Sequence, residues 1–80
     1  EINLRPDWEE VRVEIMKKAL ICKFMNNINN RARLLQTEDS ILVEWNNWGD
    51  RFWGVDVRDF NGKNTLGKLL MEIRSEIRNR

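Results

Sequence analysis

The first regular pattern of apolar and polar positions starts at Asp7. In DWEEVRVEIMKKALICKFM, apolar residues at Trp8, Val11, Ile15, Ala19, Leu20 and Phe24 follow the spacing that lines one side of an α-helix. Asp7 with Glu10 has the form of an N-cap and its capping-box partner, directly after Pro6. Glu9 and Glu10 fall in the first turn and Lys17, Lys18 and Lys23 later, the order that suits the helix dipole. These charges are expected to form a solvated face. The polar NNINN stretch interrupts the pattern, and Ile28, Ala32 and Leu35 then predict a short second helix through RARLLQT. The cluster TEDS marks a turn. The following ILVEW is too short for a helix and rich in strand formers, so it predicts a short extended segment.

A second clean stripe comes near the end, where Leu66, Leu69, Leu70, Ile73 and Ile77 predict a helix that begins at Asn64 or Thr65. Gly67 lies in its first turn, where it lowers helicity, and this predicts a close backbone or ligand contact there. Between the patterned regions, Asn46 to Lys63 (NNWGDRFWGVDVRDFNGK) has no sustained period. An ordered loop of about 18 residues is uncommon without a function. The predicted architecture is all-α: a compact domain of two long amphipathic helices, one short helix and a long ordered loop.

Composition changes this picture mainly by exclusion. With 80 residues the chain is one domain or a piece of one, since so short a chain buries only about 60–65% of its unfolded surface. It begins at Glu1 and enters a helix signal almost at once, so it is expected to be cut from something longer. Hydrophobic residues at 41% and charged residues at 34% describe an ordinary soluble sequence. No apolar run approaches the roughly 20 residues a membrane span needs, and the N-terminus lacks a secretory signal pattern. The expected location is the cytoplasm. A net charge of +1 creates no general field for a polyanion. Zero histidines exclude Ser-His-Asp and Cys-His sets and, with one cysteine, leave few ligands for zinc; no metal and no cofactor is expected. GxGxxG, Walker, CxxC and HExxH patterns are absent. Cys22, within ALICKFM, is expected to be a small buried hydrophobe.

The segment that suggests chemistry is WNNWGDRFWG, which gathers Trp45, Trp48, Phe52 and Trp53 around the carboxylate of Asp50. Aromatic faces stack on heterocyclic bases, and a carboxylate beside them can activate water or stabilise a cationic transition state. That pairing suits cleavage of a nucleoside-like bond. The structural alternative is that the tryptophans pack inside and Asp50 caps its own turn. Trp8 and Asn64 each open a helix, where unpaired amides favour a phosphate; for Trp8 the competing role is packing at the start of the helix.

Four segments in order, RPDWEEVRVEIMKKALICKF, LLQTEDSILVEW, DRFWG and GKNTLGKLLMEIR, resemble the successive signatures of the YbiA-like, or NADAR, family. The resemblance covers nearly the whole chain. It implies a compact, mainly helical fold and N-glycosidase activity on phosphorylated riboflavin-pathway intermediates or on ADP-ribosyl adducts, including those on DNA guanine. Carried over residue by residue, it makes Asp50 the catalytic carboxylate and Trp8 and Trp53 site residues. Gly54, Asn64 and Gly67 match the same pattern. Together with Phe52 from the aromatic segment, the expected substrate-binding set is Trp8, Phe52, Trp53, Gly54 and Asn64. Arg51 and Lys63 are either phosphate partners or exposed charge. The family domain is about twice this length, so residues 1–80 would form its C-terminal part, and a second polypeptide is the expected source of the N-terminal half, with its glutamate and lysine. The alternative function is a module that binds ADP-ribose or nucleotides without turnover, and a third is a structural helical partner.

Overall fold

The computed structural model describes residues 7–79. Its elements in chain order are helix α1 (Trp8–Met25), helix α2 (Ile28–Gln36), strand β1 (Trp45–Asn46), strand β2 (Val55–Asp56) and helix α3 (Thr65–Arg78). The mainly helical expectation is met, with one small addition: the two short strands pair in parallel, Trp45 opposite Val55 and Asn46 opposite Asp56.

Each helix end has a local cause. At the start of α1, Asp7 holds the N-cap position and its carbonyl accepts from the Val11 amide at 2.9 Å. Its side chain does not cap the helix, because its backbone (φ −99°, ψ 20°) is not in the extended geometry that aims a cap side chain at the first turn. The expected capping box with Glu10 is therefore not formed, and Pro6, expected just ahead of it, lies outside the described residues. The break in NNINN is real and small. Asn27 is extended (φ −136°, ψ 107°) and its side chain accepts from the Asn30 amide at 3.0 Å, which makes it the working cap of α2. α2 ends where the Thr37 amide donates to Leu34 and the Glu38 amide to Leu35, with Glu38 left-handed at φ 53°.

The three helices meet around Phe24, Leu34 and Ile73, with Leu20, Ile21, Leu42, Leu70 and Ile77 packed against them. Ile73 is fully buried, which is worth about 1.5–3 kcal/mol relative to exposure. The α3 stripe is thus the one predicted at Leu69, Leu70, Ile73 and Ile77. The α2 stripe differs: Ile28 and Ala32 face solvent, and Leu34 is the buried residue. So short a helix is rotated by what it docks on, and α1 and α3 take the Leu34 side. On α1, apolar residues are spread around the axis, so that Ile15 and Ala19 are exposed while Leu20, Ile21 and Phe24 reach the core.

Cys22 corrects a further expectation: it is exposed, with Sγ accepting from Asn26 Nδ2 at 3.2 Å. Two positions before Phe24 on a helix is about 200° round the axis, which turns the thiol away from the core. The C-terminal half of α3 is held from two sides. Lys17 of α1 pairs with Glu72 and, at 3.5 Å, with Glu76. The guanidinium of buried Arg74 donates to Thr37 Oγ1 at 2.8 Å and to the Ser40 carbonyl at 2.9 Å, so the turn after α2 is fastened to α3. Among the described residues no helix is long and apolar enough to cross a membrane.

Candidate functional site

The loop between β1 and α3 is ordered by one side chain. Asn46, buried at the end of β1, donates from Nδ2 to the Asp50 carbonyl at 2.7 Å and accepts at Oδ1 from the amides of Asp50 (3.0 Å) and Trp48 (3.3 Å). Its amide therefore closes the loop 46–50 as a backbone strand would. Asp50 continues the scheme: its Oδ1 accepts from the amides of Phe52 at 3.1 Å and Trp53 at 2.9 Å. The capping role weighed for Asp50 is thus present, and it occupies one carboxylate oxygen. Oδ2 has no hydrogen bond among the described residues. The outcome is a carboxylate locked in orientation with half of its acceptor capacity open.

Asp50, Trp48, Trp53, Gly54 and Trp45 line a common cleft of about 130 Å³, with Glu44, Asn46 and Leu66 completing it. Trp48 is 73% exposed and Trp53 half-buried, so the indoles are not spent on a core. Gly54 is required by close approach: a Cβ there would meet the Glu44 carbonyl and Asn46 Nδ2. Phe52 stands next door. Its ring lies 4.8 Å edge-on from the Trp53 ring and 3.5 Å beneath the Arg12 guanidinium, and it helps line a broader groove of about 400 Å³ with Glu9, Glu10, Val13, Glu14, Lys63 and Thr65. Trp8, 38% exposed at the first position of α1, is not among the residues that line either cavity.

Asn64 is an internal bracket. It is left-handed at φ 54°, its Nδ2 donates to the Leu42 carbonyl at 2.9 Å and its Oδ1 accepts from the Glu44 amide at 2.9 Å. This bracket also explains Gly67, where a Cβ would collide with the Asn64 amide group and the Leu42 carbonyl. The close contact expected at Gly67 is thus with backbone and Asn64. The start of α3 offers few of the unpaired amides expected of it: the amides of Lys63, Thr65 and Leu66 donate to the carbonyls of Arg51, Phe52 and Trp53 at 2.9, 3.0 and 2.9 Å. A phosphate cannot take donors that the loop already uses.

Sequence reasoning missed Asn46, although an Asn two residues before Trp48 and four before Asp50 carries the signal of an Asx-closed turn. It also passed over a second acidic centre. Asp56 is fully buried, and Arg58 grips it through Nε at 3.0 and 3.1 Å, Nη2 at 2.6 Å and its own amide at 2.9 Å. The Arg58 guanidinium, then its amide, hold the Asp56 carboxyl well below the usual carboxylate range. Arg51 adds a contact at 3.4 Å to Asp56 and a 2.6 Å ion pair with Asp59, whose pKa is lowered by that guanidinium and by the Asn61 amide. Arg51 is therefore committed within the loop, whereas Lys63 remains exposed, 3.5 Å from Glu9.

A mainly helical chain with a loop that sets a fixed carboxylate beside indoles defines an all-α domain with an acid and aromatic cleft. Residues 3–78 match the family model of the NADAR domain, and the chain belongs to the NADAR family. It is 46% identical over 77 residues to an N-glycosidase of Nostoc punctiforme, covering 96% of this chain and 48% of that protein. It is 45% identical over 74 residues to the N-glycosidase YbiA of Escherichia coli, covering 92% and 45%. The riboflavin biosynthesis protein PYRR of Arabidopsis thaliana is 47% identical over 73 residues, 91% of this chain and 12% of that protein. The chain thus spans about half the length of the N-glycosidases it matches. No solved structure gives a significant match.

Proposed function

We propose that this chain supplies the carboxylate wall of an N-glycosidase that hydrolyses a ribosyl C–N bond. The observation that carries the reading is the Asp50 carboxylate, held at one oxygen by two backbone amides and open at the other, in a cleft with Trp48 and Trp53. Water adds to C1′, the base departs with a proton, and the sugar carries positive charge in between. A pre-oriented anion stabilises that charge without reorganising, which is where catalytic advantage is largest. Asp50 Oδ2 is assigned this role by analogy with carboxylate-driven glycoside hydrolysis, and the indole of Trp53 that of stacking on the base or ribose. The names of the relatives, N-glycosidase and riboflavin biosynthesis protein, support the class. The substrate class we assign is an N-ribosyl nucleotide, either a phosphorylated riboflavin-pathway intermediate or an ADP-ribosyl adduct, processed in the cytoplasm.

The cleft is also too small for the whole task. Its volume of about 130 Å³ falls below the roughly 300 Å³ at which ligand sites begin. The remaining wall is assigned to a polypeptide equivalent to the part of the N-glycosidases that this chain does not span. The test is to incubate the protein, purified from its source with whatever accompanies it, with ADP-ribosylated DNA and with riboflavin-pathway intermediates, following released ADP-ribose or ribose phosphate. Asp50→Asn keeps an oxygen for the two amides and removes the charge, so the rate should fall about 100-fold or more with the fold intact. A full rate in that variant would overturn the assignment, and tight binding without release would reduce the protein to a nucleotide-binding module.

A further inference from the structure

β1 has one edge in use. Val55 donates to the Glu44 carbonyl and Val57 to the Asn46 carbonyl, both at 2.8 Å, so the ladder to β2 uses Glu44 and Asn46 and turns the N–H and C=O of Trp45 to the opposite edge. Val43 lies in the same phase as Trp45. Among the described residues the backbone groups of Val43 and Trp45 have no hydrogen-bond partner, whereas the outer edge of β2 is closed by the Asp56–Asn61 bridge. Open edges are ordinarily blunted by lysine, proline or a bulge; here Ile41–Trp45 carries a single charge, Glu44, and no proline. Around it lie Ile41 at 81% exposure, Trp45 at 52% and exposed Phe60, with the Trp45 and Phe60 rings in edge contact at 5.9 Å. A parallel pair of two-residue strands is also too small to stand alone.

We infer that the outer edge of β1, Val43–Trp45, receives an extended segment from the complementary half of the NADAR domain, which adds a strand to the sheet. This rests on the proposed completion of the site by a second half. The occupant is chosen by length, since about half of each matched N-glycosidase lies outside the region this chain spans. It is chosen also by position, since Glu44 and Trp45 line the Asp50 cleft and a strand laid on this edge would extend the wall of that cleft. Main-chain pairing supplies the affinity in such strand additions, and the flanking side chains supply the fit.

The test is residue-resolved hydrogen exchange on the protein purified from its source together with its complement. The amides of Val43 and Trp45 should exchange about 100-fold more slowly than free amides, or slower still, whenever the complement is bound. Val43→Pro removes a donor from the edge and should release the complement with helical circular dichroism unchanged; exposed Ile41→Lys, which cannot disturb the core, should weaken it in the same direction. Unprotected exchange at both amides in a protein that hydrolyses its substrate would overturn the inference and leave the proposed activity standing. Protected amides in a protein that hydrolyses nothing would do the reverse. Protection that grows with concentration and accompanies a dimer of this chain would replace the complement by a second copy and sink the inference.

Discussion

Asn46→Ala removes the side chain on which the Asp50 loop is built. Three hydrogen bonds of ordinary length are lost, to the Asp50 carbonyl at 2.7 Å and from the amides of Asp50 at 3.0 Å and Trp48 at 3.3 Å; a fourth, to the Val55 carbonyl, is long at 3.4 Å and counts for little. At about 0.5–1.5 kcal/mol each, the loss comes to roughly 2–4 kcal/mol. A chain of this size has a total stability of roughly 4–12 kcal/mol, so the effect is a large share of it. With a urea dependence of about 1–1.5 kcal/mol per molar for so small a domain, the midpoint should fall by about 2 M. Tryptophan emission reports the site itself, because Trp48 and Trp53 flank the loop, and their spectrum should change below the global transition. Asn46→Asp sharpens the test. It keeps the acceptor oxygen and sets a second oxygen against the Asp50 and Val55 carbonyls, so it should be destabilising at neutral pH and partly recover in acid, where a protonated carboxyl can donate. A midpoint shift under about 0.5 M for Asn46→Ala, with unchanged emission, would refute the view that Asn46 organises the loop.

Gly67→Ala should destabilise the fold by about 1–3 kcal/mol through collision with Asn64 and the Leu42 carbonyl, although alanine favours an isolated helix by about 1 kcal/mol; thermal melting beside exposed Ser75→Ala on the same helix gives the sign. The lowered pKa of Asp56 means that its contribution is fully present above the unfolded value of 3.8 and is lost as pH falls toward the lower folded value. Asp59 acts in the same direction. Urea midpoints taken from about pH 5 down to about pH 2 should therefore decline, less steeply in Asp56→Asn, and equal slopes would contradict the pairing with Arg58. Cys22, exposed on α1, should react with a thiol reagent in the folded chain; labelling only in denaturant would place it inside.

The local code was enough for the helices. Apolar periodicity located α1 and α3, the NNINN interruption located the break that Asn27 turns into a cap, and the absence of any period from Asn46 to Lys63 marked the loop that carries the cleft. Four ordered segments were enough for the family. Those features are written in residue order, because helix propensity, capping and turn formation act over a few neighbours. What periodicity cannot give is which way a helix is rotated once it docks. Leu34 instead of Ile28 and Ala32, exposed Cys22 and half-used α1 were all decided by packing among three helices. The same holds for the cleft. Composition offered an acid among tryptophans, and the bonds by which Asn46 and two amides fix Asp50 are local; only the folded structure reveals that the acid opens on a cleft closed by Glu44 and Leu66, and that loop carbonyls occupy the start of α3. Arg58 stands only two residues from Asp56, but the burial of that carboxylate exists only once the chain has folded around it. Hydrogen bonds between groups distant in sequence form after the chain is closed upon itself, and no spacing along the chain records their direction.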